Sequence, residues 1–212
     1  MTNDTQLRDD FLRTLTHVSS AFTKLVANSG NGKTKILSFP DLHKCTEGLL
    51  LNAWTYWEQF LRRLFILDLA ADSGGALRKE IKKFRSNGAP LRVAELLLDH
   101  PDEGKWIEWS SFEQVKQRGD DLLSPHHRYG TLGGTAADIK RLKKIRNAIA
   151  HKSDKAWDDF KKVVQIPPYS LKKSSLMGIT TGRFLSAHRI GSVTVFEHSI
   201  AALETAANRL VP

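Results

Sequence analysis

Apolar residues recur along most of the chain at steps of three and four, the period of helices with one buried face. From about Asp4 to Ala27 they are Leu7, Phe11, Leu15, Val18, Phe22 and Leu25, and the run stops at the turn-forming sequence NSGNG. A second helix is predicted to open at Pro40-Asp41 and to run to about Asp72, where SGG ends it. At 100° per residue its Leu50, Ala53, Trp54, Trp57, Phe60, Leu61, Leu64 and Phe65 share one broad arc, with Glu58 on the rim. A stripe that wide belongs to a helix covered on more than one side, by its own chain or by a second subunit.

Two short helices follow near 76–86 and 91–99, separated by SNGAP, and a further apolar stretch from Lys105 to about Leu123 carries Trp106, Trp109, Phe112 and Val115. The proline and glycines of SPHHRYGTLGG read as a loop. Thr135 or Asp138 can cap the next helix, which extends to about His151, and Ser153-Asp154 offers a fresh N-cap for a shorter helix to Val164. Ile166-Pro167-Pro168 breaks the chain, and 169–195 reads as irregular, with a short hairpin around RFLSAHRIGSVTV. A closing amphipathic helix spans about Phe196 to Leu210. The predicted fold class is all-α: a single helical bundle over 1–212, its core about 4–165, with an extension over 166–212 packing back on it.

Composition sharpens this picture in two respects. The one cysteine, Cys45, excludes an internal disulfide framework and any multi-cysteine zinc site. The 32 Lys+Arg against 23 Asp+Glu leave a net charge of +9, which attracts polyanions and places nucleic acid first among partners. No run of residues is apolar enough for a membrane span, and the polar start MTNDTQLRDD lacks the features of a secretory leader, so a cytoplasmic protein is expected.

Residues 27–34, ANSGNGKT, imitate a phosphate-binding loop. That motif needs a strand before the loop and a helix after it. Here a helix precedes and Pro40 follows closely, so a helix–helix connection is expected. His126-His127 does not make a metal site, since adjacent side chains diverge and further ligands are missing. The cations Arg78, Lys79, Lys82, Lys83 and Arg85 read as solvated surface or as a flank that contacts phosphate. Trp54, Trp57, Trp106 and Trp109 fall at helical spacing and read as core or interface residues.

The most informative segment is Asp138 to His151, DIKRLKKIRNAIAH. On a helical wheel Leu142, Ile145 and Ile149 group together, and His151 falls opposite them. Asn147 lies one turn before His151 on that outer side, with Lys140 and Lys144 extending the stripe, while Arg146 sits at the edge of the apolar face. An imidazole, an amide and several cations on one surface suit cleavage of RNA by its own 2′-hydroxyl. Histidine moves protons near neutral pH and arginine grips phosphate oxygens with a planar fork. No metal or other cofactor is expected. The competing explanation is a solvated basic face whose terminal histidine complements the helix dipole.

Arg146-Asn147-x-x-x-His151, late in a helical bundle, resembles the R-N-x-x-x-H signature of the HEPN superfamily of ribonucleases. The upstream helix GLLLNAWTYWEQFLRRLF is similar to the long aromatic helix of the branch labelled RiboL-PSP-HEPN, and the two features span about 40–165. The resemblance implies a homodimer whose motifs meet in a cleft on the two-fold axis. It implies metal-independent endoribonuclease activity leaving 2′,3′-cyclic phosphate ends. His151 would move the proton, Arg146 would stabilise the phosphate and Asn147 would position one of them. Glu58 matches loosely a supporting polar residue on the long helix, and Lys140, Lys143 and Lys144 would contact the RNA. Many relatives act as bacterial toxins or in phage defence on tRNA or mRNA, so an antitoxin or other regulatory partner is an expectation, and some are silent RNA-binding or protein-binding modules.

Overall fold

The computed structural model describes residues 3–31, 34–72, 74–75, 90–99 and 109–212. The helix expected at 76–86, its cations and Trp106 lie outside these residues. Helix α1, Asp4–Asn28, is capped by Asn3, whose side chain accepts from the Gln6 amide at 2.7 Å. Helix α2, Phe39–Ala71, starts one residue before the expected Pro40 because Ser38 and Asp41 form a reciprocal capping box. Its 33 residues reach about 50 Å at 1.5 Å per residue.

The aromatic arc of α2 is buried by this chain alone. Trp54, Trp57, Phe60, Leu61, Leu64 and Phe65 are each at most 2% exposed, so no second subunit is needed to cover them. Helix α1 runs antiparallel to α2 and supplies Phe11, which stacks on Phe60 with ring centroids 5.1 Å apart. Helix α3, Pro90–Asp99, packs on the C-terminal half of α2, where Arg62 pairs with Glu95 at 3.1 Å. Helix α4, Phe112–Leu122, begins later than the expected Lys105; of that stretch 105–108 lie outside the described residues. Helices α5, Ala136–His151, and α6, Asp154–Val164, pack on one another, with Ser153 capping α6 through the Ala156 amide as expected.

Two parts of the sequence prediction are corrected. The SPHHRYGTLGG segment is not a simple loop: Arg128–Gly134 forms a 3-10 helix that buries Tyr129 and Leu132. Tertiary contacts hold it. The Tyr129 hydroxyl donates to Asp68 at 2.8 Å, and Arg128 reaches Asp68, Asp4 and the Leu210 carbonyl at 3.1, 3.0 and 3.1 Å. The second correction concerns the hairpin expected around 183–195. Its first half is helix α7, Thr181–Ala187, and only Arg189–Ile190 (β1) and Val193–Thr194 (β2) pair, antiparallel. Gly191 at φ +62° supplies the positive dihedral that so tight a hairpin turn demands.

The C-terminal extension is fastened to the long helix by a buried carboxylate. Glu47 of α2 accepts from the Thr181 hydroxyl, from the Gly182 amide at 2.9 Å and from Lys44 at 2.8 Å. Burial disfavours the charged form, but these donors outweigh it and hold the Glu47 pKa below the ordinary glutamate range. Helix α8, Val195–Leu210, then packs on α1 and α5, with Phe196 stacked on Phe22 at 4.3 Å. One buried cluster thus runs from Leu7 to Val211, and the architecture is an all-α bundle.

Candidate functional site

Helix α5 carries the candidate residues because its inner face is committed to the core. Ile139, Leu142, Ile145, Ala148 and Ile149 are buried, which turns Asn147 and His151 outward. The helix ends at His151, and Lys152 adopts φ +48°, a left-handed conformation that stops it. Ser153 immediately starts α6. His151 therefore sits exposed on a sharp corner between two helices packed on each other.

Arg146 is half-buried at the edge of the apolar face, as expected. Its Nη1 donates to Asn147 Oδ1 at 3.1 Å and lies 3.5 Å from His151 Nε2, a long and weak contact. The Arg146 Nε is buried without a partner. No carboxylate among the described residues lies within ion-pair distance of this guanidinium. Neighbouring cations differ: Arg141 is held by Asp138 at 2.6 Å and Lys161 by Asp158 at 2.7 Å. Arg146, Asn147 and His151 thus form a contiguous cationic trio with an unneutralised charge beside an imidazole. Such a group can take a phosphate oxygen on the guanidinium and exchange a proton at the ring.

The other candidates divide. Lys140 is exposed and pairs with Glu113 at 3.2 Å, an exposed contact that a polyanion can displace. Lys143 and Lys144 are half-buried on α5, and Lys144 has no ion pair among the described residues. Glu58 is half-buried on α2 and accepts from the Trp54 indole N–H at 2.8 Å. It makes no polar contact with the trio among the described residues, and its i,i+4 bond satisfies a donor that would otherwise be buried alone.

The remaining motifs are placed as follows. In the phosphate-loop imitation, the Gly30 amide donates to the Leu37 carbonyl at 3.0 Å, and Ser29 bridges Leu37, so the described part of the loop folds onto itself. Of the adjacent histidines, His127 bonds Asp120 at 2.9 Å while His126 is exposed at φ +71°. Among the described residues no group of three or more His, Cys, Asp or Glu side chains is placed to hold a metal ion. No described helix is long and apolar enough to cross a membrane.

Three polar clusters escaped the sequence reading. Asp68, Tyr129 and Arg128 form one, and burial pushes the Asp68 pKa above the ordinary carboxylate range despite the Arg128 charge. Glu47 with Thr181 is the second. Asp72, which accepts from the Ser124 amide and hydroxyl at 2.6 Å each, is the third. All join residues 52 or more positions apart, so no spacing could reveal them. Comparison of the chain with protein-family models, with curated proteins and with solved structures finds no match.

Proposed function

We propose that the protein is an endoribonuclease of the HEPN type that cleaves RNA by 2′-hydroxyl attack without a metal. The observation that carries it is the trio: a guanidinium with no carboxylate partner among the described residues, bonded to Asn147 and facing the Nε2 of His151. In this reaction His151 removes the proton from the 2′-hydroxyl, whose oxygen attacks the adjacent phosphorus. Arg146 stabilises the charge that grows on the non-bridging oxygens, and Asn147 orients the guanidinium. The 5′ oxygen leaves and takes a proton from the histidine of a second copy or from water, which leaves a 2′,3′-cyclic phosphate and a 5′-hydroxyl.

The trio is open to solvent in the single chain, with His151 exposed. A second copy meeting it across a two-fold axis would close the cleft and exclude water, as the resemblance implies. Lys140, Lys143 and Lys144 hold the flanking RNA backbone. The role that follows is that of a cytoplasmic bacterial toxin or phage-defence effector acting on tRNA or mRNA, restrained by an antitoxin or another regulatory partner.

The test is incubation of purified protein with total RNA in EDTA, beside His151→Ala, with the ends of the products mapped. Cleavage that needs His151 and leaves cyclic phosphates is expected, while DNA and RNA methylated at the 2′ oxygen of the cut survive. Uncut RNA with both proteins folded would favour a silent binding module.

A further inference from the structure

The outer face of the α1–α2 hairpin carries an apolar groove that none of the described residues fills. One part, about 630 Å³, is lined by His17, Ala21 and Leu25 of α1 and by Cys45, Gly48 and Asn52 of α2. A second part, about 170 Å³, continues toward Arg63, and Thr14 and Tyr56 line both. The groove runs along the side of α2 largely opposite its buried aromatic arc, meeting that arc only at Phe60, and none of the Arg146–His151 trio lines it.

Charge narrows the occupant. On a chain of net charge +9, α1 has no charged residue from Thr14 to Thr23, and α2 has no lysine or arginine between Lys44 and Arg62. A polyanion has no reason to settle there. Two copies of a +9 protein repel each other on average, so a face whose middle carries no lysine or arginine, with Arg63 only toward one end, is where they can approach.

The face is also complementary to itself. Asn52 lies at its middle, with Gly48 four residues before it and Tyr56 four after. A Cβ at Gly48 would have no atom within 4 Å, so this glycine leaves an open hole in mid-helix, while Tyr56 is 41% exposed and stands out as a knob. Asp41 and Arg63 lie eleven residues to either side of Asn52 on the same face, both exposed, and Arg63 has no ion pair among the described residues. An antiparallel pair of α2 helices related by a two-fold axis at Asn52 therefore sets Tyr56 into the hole over the partner's Gly48. It also sets Asp41 opposite the partner's Arg63, about 16 Å from the axis at each end.

We propose that this groove is a self-association surface, occupied by α2 of a second copy in that antiparallel register. The contact is independent of the RNA chemistry. If the trio pairs across a second two-fold axis that meets the first at a right angle, the two contacts together build a tetramer of dihedral symmetry.

The register is tested by cross-linking and by mass. Asn52→Cys in a Cys45→Ala background places the new thiols at the axis, so mild oxidation should yield a disulfide-linked dimer. In the unmodified chain the two Cys45 thiols are offset by about 21 Å along the helices, and the same oxidation should leave them unlinked. Gly48→Glu fills the hole with charge at a position where the monomer has room. It should abolish the N52C cross-link and remove one level of assembly measured by light scattering, in multiples of the 23.8 kDa chain, with an unchanged helical spectrum. A monomeric unmodified protein would overturn the proposal. So would a mass insensitive to G48E together with unlinked N52C, since the copies then meet elsewhere. Because the trio does not line the groove, loss of RNA cleavage in His151→Ala with the N52C cross-link intact separates the two claims.

Discussion

Removing the Glu47 carboxylate should cost the protein about 3 kcal/mol. Glu47 is 8% exposed and Thr181 is 5% exposed, so Glu47→Ala strips the partner from a buried hydroxyl and from the amide of buried Gly182. Each unsatisfied buried group costs about 1–3 kcal/mol. The Lys44 ammonium is exposed and contributes little when it loses its partner. The buried charge no longer has to be desolvated, which returns part of the loss. For a chain of this size the net corresponds to a fall in Tm of about 6–12 °C. Glu47→Gln keeps the shape and one acceptor, and should lose less. The carboxylate also carries a pH signature. Its folded pKa lies below the unfolded one, so its stabilisation is complete above the ordinary glutamate range and drains away as pH falls through the folded value. Thermal melts from pH 7 down to pH 3 should therefore show a steeper acid decline for the unmodified protein than for Glu47→Gln. An E47A melt within 1 °C of the unmodified protein at pH 7 would refute the claim that this carboxylate fastens α7 to α2.

Other perturbations follow from the same contacts. Gly182→Ala would place a methyl 2.2 Å from the His43 carbonyl oxygen, so α7 must lift from α2; denaturant melts should show a loss of about 2–4 kcal/mol. Lys152→Gly relieves the left-handed residue at φ +48° that joins α5 to α6 and should raise stability by about 1 kcal/mol, read as a higher urea midpoint at constant slope. Arg146→Ala should lower the cleavage rate about 10²–10³-fold, with Arg146→Lys recovering only part of it because the lysine keeps the charge and loses the fork; equal rates for all three proteins would remove Arg146 from the site.

Much of the bundle was legible because its main helices announce both a period and a cap. Leu7, Phe11, Leu15, Val18 and Phe22 marked α1, and all five are buried. Ser153 marked the start of α6, where its side chain does accept from Ala156. The elements that were misread are those whose stability comes from distant partners. Arg128–Gly134 contains three glycines and reads as a loop, yet Asp68 and Leu210 hold its first residues in a buried 3-10 turn. Helix α7 has only seven residues, and the Glu47 carboxylate that receives the Thr181 hydroxyl and the Gly182 amide comes from 134 or more positions earlier. The trio was visible for the opposite reason: Arg146, Asn147 and His151 fall within six residues of one helix, so the helical period itself brings them together. Glu58 was singled out by its place on the rim of α2, but the nearby Trp54 indole takes its carboxylate.

The central claim is chemical, and RNA cleavage in EDTA tests it most directly. Purified protein and its His151→Ala variant are incubated with total RNA, and the new termini are mapped. Loss of one imidazole that moves a proton should slow the reaction about 10²–10⁴-fold. The account predicts cuts ending in 2′,3′-cyclic phosphate and 5′-hydroxyl that vanish with His151→Ala. Equal cleavage by both proteins, or cuts that leave 3′-hydroxyl ends, would contradict it.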